Sequence, residues 1–218
     1  MSLTIRLADK TSFQWAQRQV VAHHYLHSPV DARCSPAAHI VLLDDQRVGC
    51  LIFGRPESTK CNGWYGSIED VHNDKCYLTR WQVLNLARVW LDPVIQLGGA
   101  HYIPNAATMV IAQSLRKIVV DYLIQRPPVW MQEPYTIYEV LSYCDTSKHK
   151  GTIYKAANFQ LRRENARGIQ TYAIPVRRLT HAEHAAIAEQ SRLSPRSRQL
   201  RAERISKESQ LALFEEAI

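Results

Sequence analysis

No stretch of this chain is apolar for anything near the ~20 residues that a bilayer-crossing helix requires. The N-terminus, MSLTIRLADK, carries charged residues and no apolar h-region. Neither a membrane span nor a secretory signal peptide is therefore expected. Cysteine is scarce and badly placed for cross-linking: there are five, at Cys34, Cys50, Cys61, Cys76 and Cys144, with no C-x-x-C pair. The odd count argues against a disulfide framework and a structural zinc site, and for a reducing compartment, the cytoplasm. Acidic residues are also in deficit, with 20 Asp and Glu against 27 Lys and Arg, a formal charge of +7. A polyanionic partner suits that balance, but so does a basic enzyme with no nucleic-acid role. No internal repeat occurs.

What is there reads as one folded unit with an appendage. The chain has 218 residues, 46% hydrophobic and 22% charged, ordinary for a globular protein that needs no metal or disulfide staple. Residues 2–7 alternate weakly and suggest a first strand. Residues 9–27 read as a helix stopped by Pro29. Strands over 38–43 and 48–53, joined by Asp44-Asp45-Gln46-Arg47, form a hairpin. Residues 57–76 read as a long loop with Trp64-Tyr65 inside it. A central strand is expected over 83–91, stopped by Asp92-Pro93. The strongest helix runs over 106–124, with Met109, Ile111, Ala112, Leu115, Ile118, Val119 and Leu123 as its apolar face and Asn105 as N-cap. A strand over 138–144, a short helix over 152–157 and a last strand over 170–174 complete an α/β (α+β) sandwich with a mixed sheet. After residue 178 the composition changes. Thr180-x-x-Glu183 is a capping box, and Arg192, Arg196, Arg198, Arg201, Arg204 and Lys207 make residues 179–218 a basic, helical extension. It reads either as a solvated, partly disordered tail or as a phosphate-contacting arm.

The segment LSYCDTSKHKGTIYKAANF, residues 141–159, concentrates the chemistry. A strand ends in Asp145, a polar loop carries Lys148, His149, Lys150 and Gly151, and Thr152 opens a helical turn bearing Tyr154. A carboxylate, an imidazole and a phenol thus stand beside a helix start. Asp145 suits a base or ligand, or equally a cap for the turn that follows it. Tyr154 suits a proton donor, since a phenol with a reference pKa of ~10 needs no help to hold its proton, or a core aromatic. His23 and His27, at i and i+4 if the helix continues, have a spacing that permits a shared metal; a helix-end cap is the other reading. Trp64 and Tyr65 suit stacking on an exposed base or packing on the sheet. His149 and Lys150 contact phosphates or simply line a solvated loop. Arg33, Arg55 and Lys60 suit a nucleic-acid face. Cys34, Cys50 and Cys144 lie in apolar contexts and read as buried and inert.

The strand–helix–strand core followed by GTIYKAANF resembles the GNAT, or acetyltransferase-like, superfamily. More narrowly, HHYLHSPVDARC (23–34), LIFGRPES (51–58), YLTRWQVLNLARVWL (77–91) and SYCDTSKHKGTIYKAANF (142–159) together resemble the Mom family of phage Mu-like DNA modification proteins. That resemblance covers roughly residues 1–178. It implies a GNAT-like mixed sheet flanked by helices, and an enzyme that converts adenine in DNA to N6-carbamoylmethyl-adenine, protecting phage DNA from restriction in the host cytoplasm. It implies catalytic positions at His24, Tyr25, Asp145 and Tyr154, the same four being an iron ligand set in one version. It implies double-stranded DNA as partner, with Arg33, Arg80, Arg88, His149 and Lys150 as contacts; a homodimer is left open. One departure stands out. The acetyltransferase pyrophosphate loop, Q/R-x-x-G-x-G/A, is absent, and the helix start at Asn105, Ala106 and Thr108 takes its place as an anion site. The donor is thus unknown, with acetyl-CoA still a candidate. Three readings remain: a DNA adenine modifier, a GNAT N-acyltransferase acting on a small amine or a protein, and a DNA- or partner-binding protein without chemistry.

Overall fold

The computed structural model describes residues 2–56, 64–125 and 137–180, with 182, 183 and 187 beyond them. Its frame is a seven-stranded sheet in the order β1-β2-β3-β6-β7-β9-β8. These strands are β1 (Leu3–Leu7), β2 (Ala37–Leu43), β3 (Gln46–Gly54), β6 (Val83–Leu91), β7 (Glu139–Asp145), β8 (Gln160–Glu164) and β9 (Ile169–Pro175). Two short strands, β4 (Tyr65–Gly66) and β5 (Leu78–Thr79), pair separately. The helices are α1 (Lys10–His23), α2 (Ile68–His72), α3 (Ala106–Gln125) and α4 (Thr152–Ala156). Every pairing in the large sheet is antiparallel except β6 with β7.

Local chemistry explains these elements. Asp9 caps α1 by accepting the Ser12 amide at 2.7 Å. Asp44 and Asp45, both at positive φ, close the β2–β3 hairpin in the mirror-image turn that matches strand twist. β2 is buried at all seven positions because helices cover both sheet faces. On one face Ala16 and Val20 of α1 pack with Ala38, Ile40, Cys50 and Ile52. On the other, Val110, Ile111, Ile118 and Leu123 of α3 pack with Val41, Leu51, Phe53 and Leu84. Each fully buried aliphatic side chain contributes about 1.5–3 kcal/mol.

Two irregularities shape the centre. The strands β6 and β7 pair over only three positions, ending at Asn85 with Leu141, and then part. The resemblance implies a bulge or splay near Leu91; the strands part earlier, after Asn85. A bulge lies in β6, where Ile52 faces Arg88 but Phe53 faces Leu86, leaving Ala87 as the extra residue. The bulge shifts the alternation of β6, so that Arg88 and Trp90 lie on the face opposite Leu84 and Leu86. Across the opening, the buried Ser142 Oγ donates to the Leu86 carbonyl at 2.8 Å.

Several sequence expectations need correction. The first helix ends at His23 rather than His27, because His24 turns extended at ψ 140. Residues 64–76 are not loop throughout: Ser67 and Asp70 form a capping box that starts α2. The strand β8 was not expected, since all five of its residues are exposed and show no alternation. In α3 Val110, Ser114 and Tyr122 are buried while Met109 is exposed, so the core face is rotated from the expected one. Asn105 lies at φ +58 and its side chain makes no capping bond among the described residues. The Thr180–Glu183 capping box forms as expected, with the Glu183 amide donating to Thr180 Oγ1 at 3.2 Å. Leu179 and Ile187 pack on the main core, and Arg177 pairs with Glu183 at 2.7 Å. The arginine-rich part of the extension, Lys60 and Cys61 lie outside the described residues. No helix among the described residues is long and apolar enough to cross a membrane.

Candidate active site

Where β6 and β7 part, a cavity of about 1030 Å3 opens. This is at the upper end of the ~300–1,000 Å3 usual for small-molecule sites, enough for two reactants. Its walls gather His24, Tyr25, Arg88, His149, Lys150 and Tyr154 from four separate segments.

Tyr154 is fixed by its neighbours. Gly151 takes the left-handed conformation at φ +67, and a Cβ there would stand 2.7 Å from the Tyr172 hydroxyl. Only glycine fits that approach. The turn it permits stacks Tyr154 on the buried Tyr172, with ring centroids 5.5 Å apart, and sets it edge-on to Phe159 at 5.8 Å. Burial pushes the Tyr154 phenol above its ordinary pKa, and the nearby Ser142 hydroxyl offsets part of that rise. The Tyr154 phenol thus holds its proton at neutral pH.

His24 sits just past α1, 4.4 Å from the Tyr25 ring, and Tyr25 meets His149 edge-on at 4.8 Å. Burial first, then the charge of Arg88, lowers the His24 pKa to about 4. The imidazole is neutral at pH 7. Its Nδ1 accepts the Leu26 amide at 3.3 Å, which assigns the ring proton to Nε2. Burial, then the nearby Asp145 carboxylate, raises the Tyr25 pKa. Arg88 donates to the Ala87 carbonyl at 2.8 Å and to Ser28 Oγ at 3.3 Å, inside the cavity and in electrostatic reach of Tyr154.

A stability consequence follows from His24. Its folded pKa lies below the unfolded value of ~6.5, so the unfolded chain binds the extra proton first. The stabilisation is complete above pH ~6.5 and is lost as pH falls toward about 4. His24→Gln is expected to flatten the pH dependence of the melting temperature across that window, by roughly 1–3 kcal/mol after solvent screening. Parallel wild-type and variant melting curves between pH 4 and 7 read it directly.

Other expected residues fall elsewhere. The Asp145 carboxylate is not on the cavity wall; its Oδ1 accepts the Ser147 amide at 2.9 Å and the Ser147 hydroxyl at 2.6 Å, which also lowers its pKa. It ties its own loop. Asp145→Asn, which keeps an acceptor for Ser147, is expected to retain most activity, whereas Asp145→Ala loosens residues 146–151 and lowers it; a dead Asn variant would restore a chemical role to the carboxylate. Arg33 is exposed and paired with Asp31 at 2.6 Å. Arg80 stacks on Trp81 rather than lining the cavity. Trp64 packs with Tyr65, Val83 and Leu141 on the sheet instead of presenting a stacking face. Cys34, Cys50 and Cys144 are buried free thiols, as expected.

At α3 the Asn105 carbonyl accepts the Met109 amide at 2.9 Å and the Ala106 amide donates to Ile103 at 3.2 Å. The amides of Ala107 and Thr108 have no acceptor among the described residues, and Ala107 lines the cavity. Two open N–H groups and the helix dipole favour an anion there. Sequence reasoning missed two features, one on the cavity wall and one off it. Trp90 carries the His23 ring stacked on it at 5.3 Å. Ser142 bridges the strands at the splay; its sequence context, one polar residue within an apolar strand, was the available signal.

The sequence matches the Mom protein family over residues 4–212. The chain belongs to the Mom family. The match spans nearly the whole chain. No curated protein matches it. Among solved structures, the aminoglycoside acetyltransferase AAC(6')-Ib with ribostamycin and coenzyme A is similar at 15% identity and TM-score 0.46, covering 89% of this chain and 99% of that one. A putative GNAT-family acetyltransferase from Desulfovibrio desulfuricans gives 12% identity and TM-score 0.45, covering 81% and 100%. An N-acetyltransferase of Campylobacter jejuni with acetyl coenzyme A gives 10% and 0.40, covering 80% and 99%.

The iron set implied by the resemblance to the Mom family does not assemble. Asp145 is turned to Ser147, and the His24 Nδ1 is occupied by Leu26. His27 lies past the helix end with Nδ1 hydrogen-bonded to the Val21 carbonyl at 3.1 Å, while His23 lies on Trp90. No group of three His, Cys, Asp or Glu able to hold a metal occurs among the described residues. These residues do not fit the metal.

Proposed function

We propose that this Mom-family chain transfers a carbamoylmethyl group to the exocyclic amine of adenine in DNA, a modification that protects phage DNA from restriction. The observation that carries the reading is the cavity at the splay, which joins the open start of α3 to the Tyr154 and His24 wall. An adenine attacked at its amine must leave the duplex stack. The aromatic walls, with Trp90, Tyr143 and Tyr25, suit a flipped purine. The anionic part of the donor binds at the Ala107 and Thr108 amides.

The amine is a weak nucleophile because its lone pair is delocalised into the ring. Positioning and proton transfer therefore supply most of the acceleration. Tyr154 protonates the leaving group. His24, neutral and holding its proton on Nε2, donates a hydrogen bond, and Arg88 stabilises negative charge as it develops. His149, whose ring nitrogens carry no hydrogen bond among the described residues, accepts the amine proton. Double-stranded DNA lies across the loop 146–151, which carries Lys148 and Lys150 and which Thr146 ties to the turn after Arg167 by donating twice to the Gly168 carbonyl. Binding to such a surface weakens steeply with salt.

The test is expression beside a plasmid, digestion of the plasmid to nucleosides, and mass spectrometry. A deoxyadenosine heavier by a carbamoylmethyl group is expected. Unmodified adenine from folded protein that acetyl-CoA protects against heat would instead favour N-acyl transfer to a small amine, a reading that the same open α3 start supports.

A further inference from the structure

Arg55 and Arg80 converge on one indole. Their guanidinium carbons lie 4.4 and 4.7 Å from the Trp81 ring centroid. An aromatic ring attracts a cation, but two cations on one ring also repel each other unless a counter-charge is near. Neither arginine pairs with a carboxylate among the described residues. The Nε of each is buried and without a hydrogen bond. Among the described residues these two charges have no counter-charge.

Arg55 is nonetheless held in place. Its Nη2 donates to Ser35 Oγ, and its backbone amide donates to the Cys34 carbonyl at 2.8 Å. Ser35 is itself fixed in a left-handed conformation, its amide bonded to Ala32 at 2.9 Å. Arg55 lines the cavity beside Gly54 and Asn85. Arg80 stands close enough to the buried Tyr65 to act on its phenol, and the Tyr65 hydroxyl lies 2.6 Å from that of Tyr143, another wall residue. Arg55 on the cavity wall and Arg80 behind it on the same indole thus place two oriented guanidinium groups, unpaired with any carboxylate among the described residues, at one edge of the cavity. Their planar forks fit phosphate oxygens in pairs.

We propose that Arg55 and Arg80, seated on Trp81, form a phosphate site at the edge of the cavity, and that its ligand is the backbone phosphodiester next to the nucleotide under reaction. The inference rests on the DNA reading above and gives the flipped nucleotide its backbone anchor. A diffusible donor carrying a phosphate has the same chemistry, and the experiment separates the two.

Affinity for a fluorescent adenine-containing duplex is measured by anisotropy across a range of NaCl for wild type, Arg55→Gln and Arg80→Gln. Each variant is expected to weaken binding and to lower the slope of log affinity against log salt, and the double variant to lower it by about one, the value for a single phosphate contact. Protection against heat by coenzyme A is expected to be unchanged. An unchanged slope with lost coenzyme A protection would overturn the DNA assignment and give the phosphate to the donor. No change in either, in variants that melt like wild type, would overturn the site. Should the variants fail to fold, the Nε–H signals of the wild-type arginines in NMR decide: inorganic phosphate is expected to shift two of them, and an unmoved spectrum sinks the proposal. Duplex binding that is absent in the wild type would sink the DNA reading instead, while the phosphate titration still judges the site.

Discussion

Tyr154→Phe is expected to lower adenine modification by ~10²–10⁴-fold, the usual contribution of a placed general acid, while leaving the fold intact. Phenylalanine keeps the stacking on Tyr172 and the edge contact with Phe159. It loses only the hydroxyl beside Ser142, a contact worth about 1 kcal/mol. The loss should fall on kcat, since the phenol acts on the leaving group as the bond breaks and not on the bound ground state. The pH profile gives a second reading. Burial raises the Tyr154 pKa, so the wild-type rate should hold on the alkaline side up to and beyond the ordinary phenol value of ~10. His24, neutral down to about 4, should place no acid limb in the physiological range. A Phe variant with full activity, or a wild-type rate that falls on the alkaline side well below the phenol value, would remove Tyr154 from the chemistry.

The residues differ in how far the chain order announces them. The region 77–90 is ambiguous in the sequence, and the strand preferred there, Val83–Leu91, is the span that the structure gives, stopped by Asp92-Pro93. The short helix bearing Tyr154 was legible from Gly151 and Thr152. The site around it was not. The splay depends on β6 and β7 pairing at Asn85 and separating at Leu86, an event between segments about fifty residues apart. The bulge that aims Arg88 depends on the register of β3. Neither leaves a local pattern. The i, i+4 spacing of His23 and His27 misled because it assumes a helix that His24 has already left. Asn105 misled because a good capping residue is also a good left-handed one, and the backbone here takes the second role. Asp145 illustrates the ambiguity of Asp before Ser and Thr: the same carboxylate that suits a catalytic base also closes a turn.

His39→Ala is expected to cost about 2–4 kcal/mol of stability, roughly 5–15 °C in melting temperature for a domain of this size. On the α3 face of β2 the run Ala37, His39, Val41 and Leu43 has one polar member, and it is fully buried. One ring nitrogen of His39 meets Ser114 Oγ at 2.5 Å and the other meets Asp121 Oδ2 at 2.9 Å. Ser114 and Asp121 stand seven residues apart, two turns along one face of α3, so a single imidazole pins the helix to the sheet at two levels. Serine, histidine and aspartate in this order resemble a hydrolytic triad. The resemblance carries no chemistry, because Ser114 and His39 are both inaccessible to a substrate. Removing the ring leaves the Ser114 hydroxyl buried without its partner and opens a cavity beside Phe53, which the ring now meets edge-on at 5.9 Å. Asp121 is partly exposed and can turn to water, so Asp121→Asn should cost only about 1 kcal/mol. Below its melting transition the His39→Ala protein should modify adenine at the wild-type rate. A variant that melts normally but has lost activity would mean that this buried set takes part in the reaction after all. The stability loss matters for function by a different route. α3 carries the Ala107 and Thr108 amides to the cavity, and the imidazole fastens that helix to β2 across 75 residues of chain.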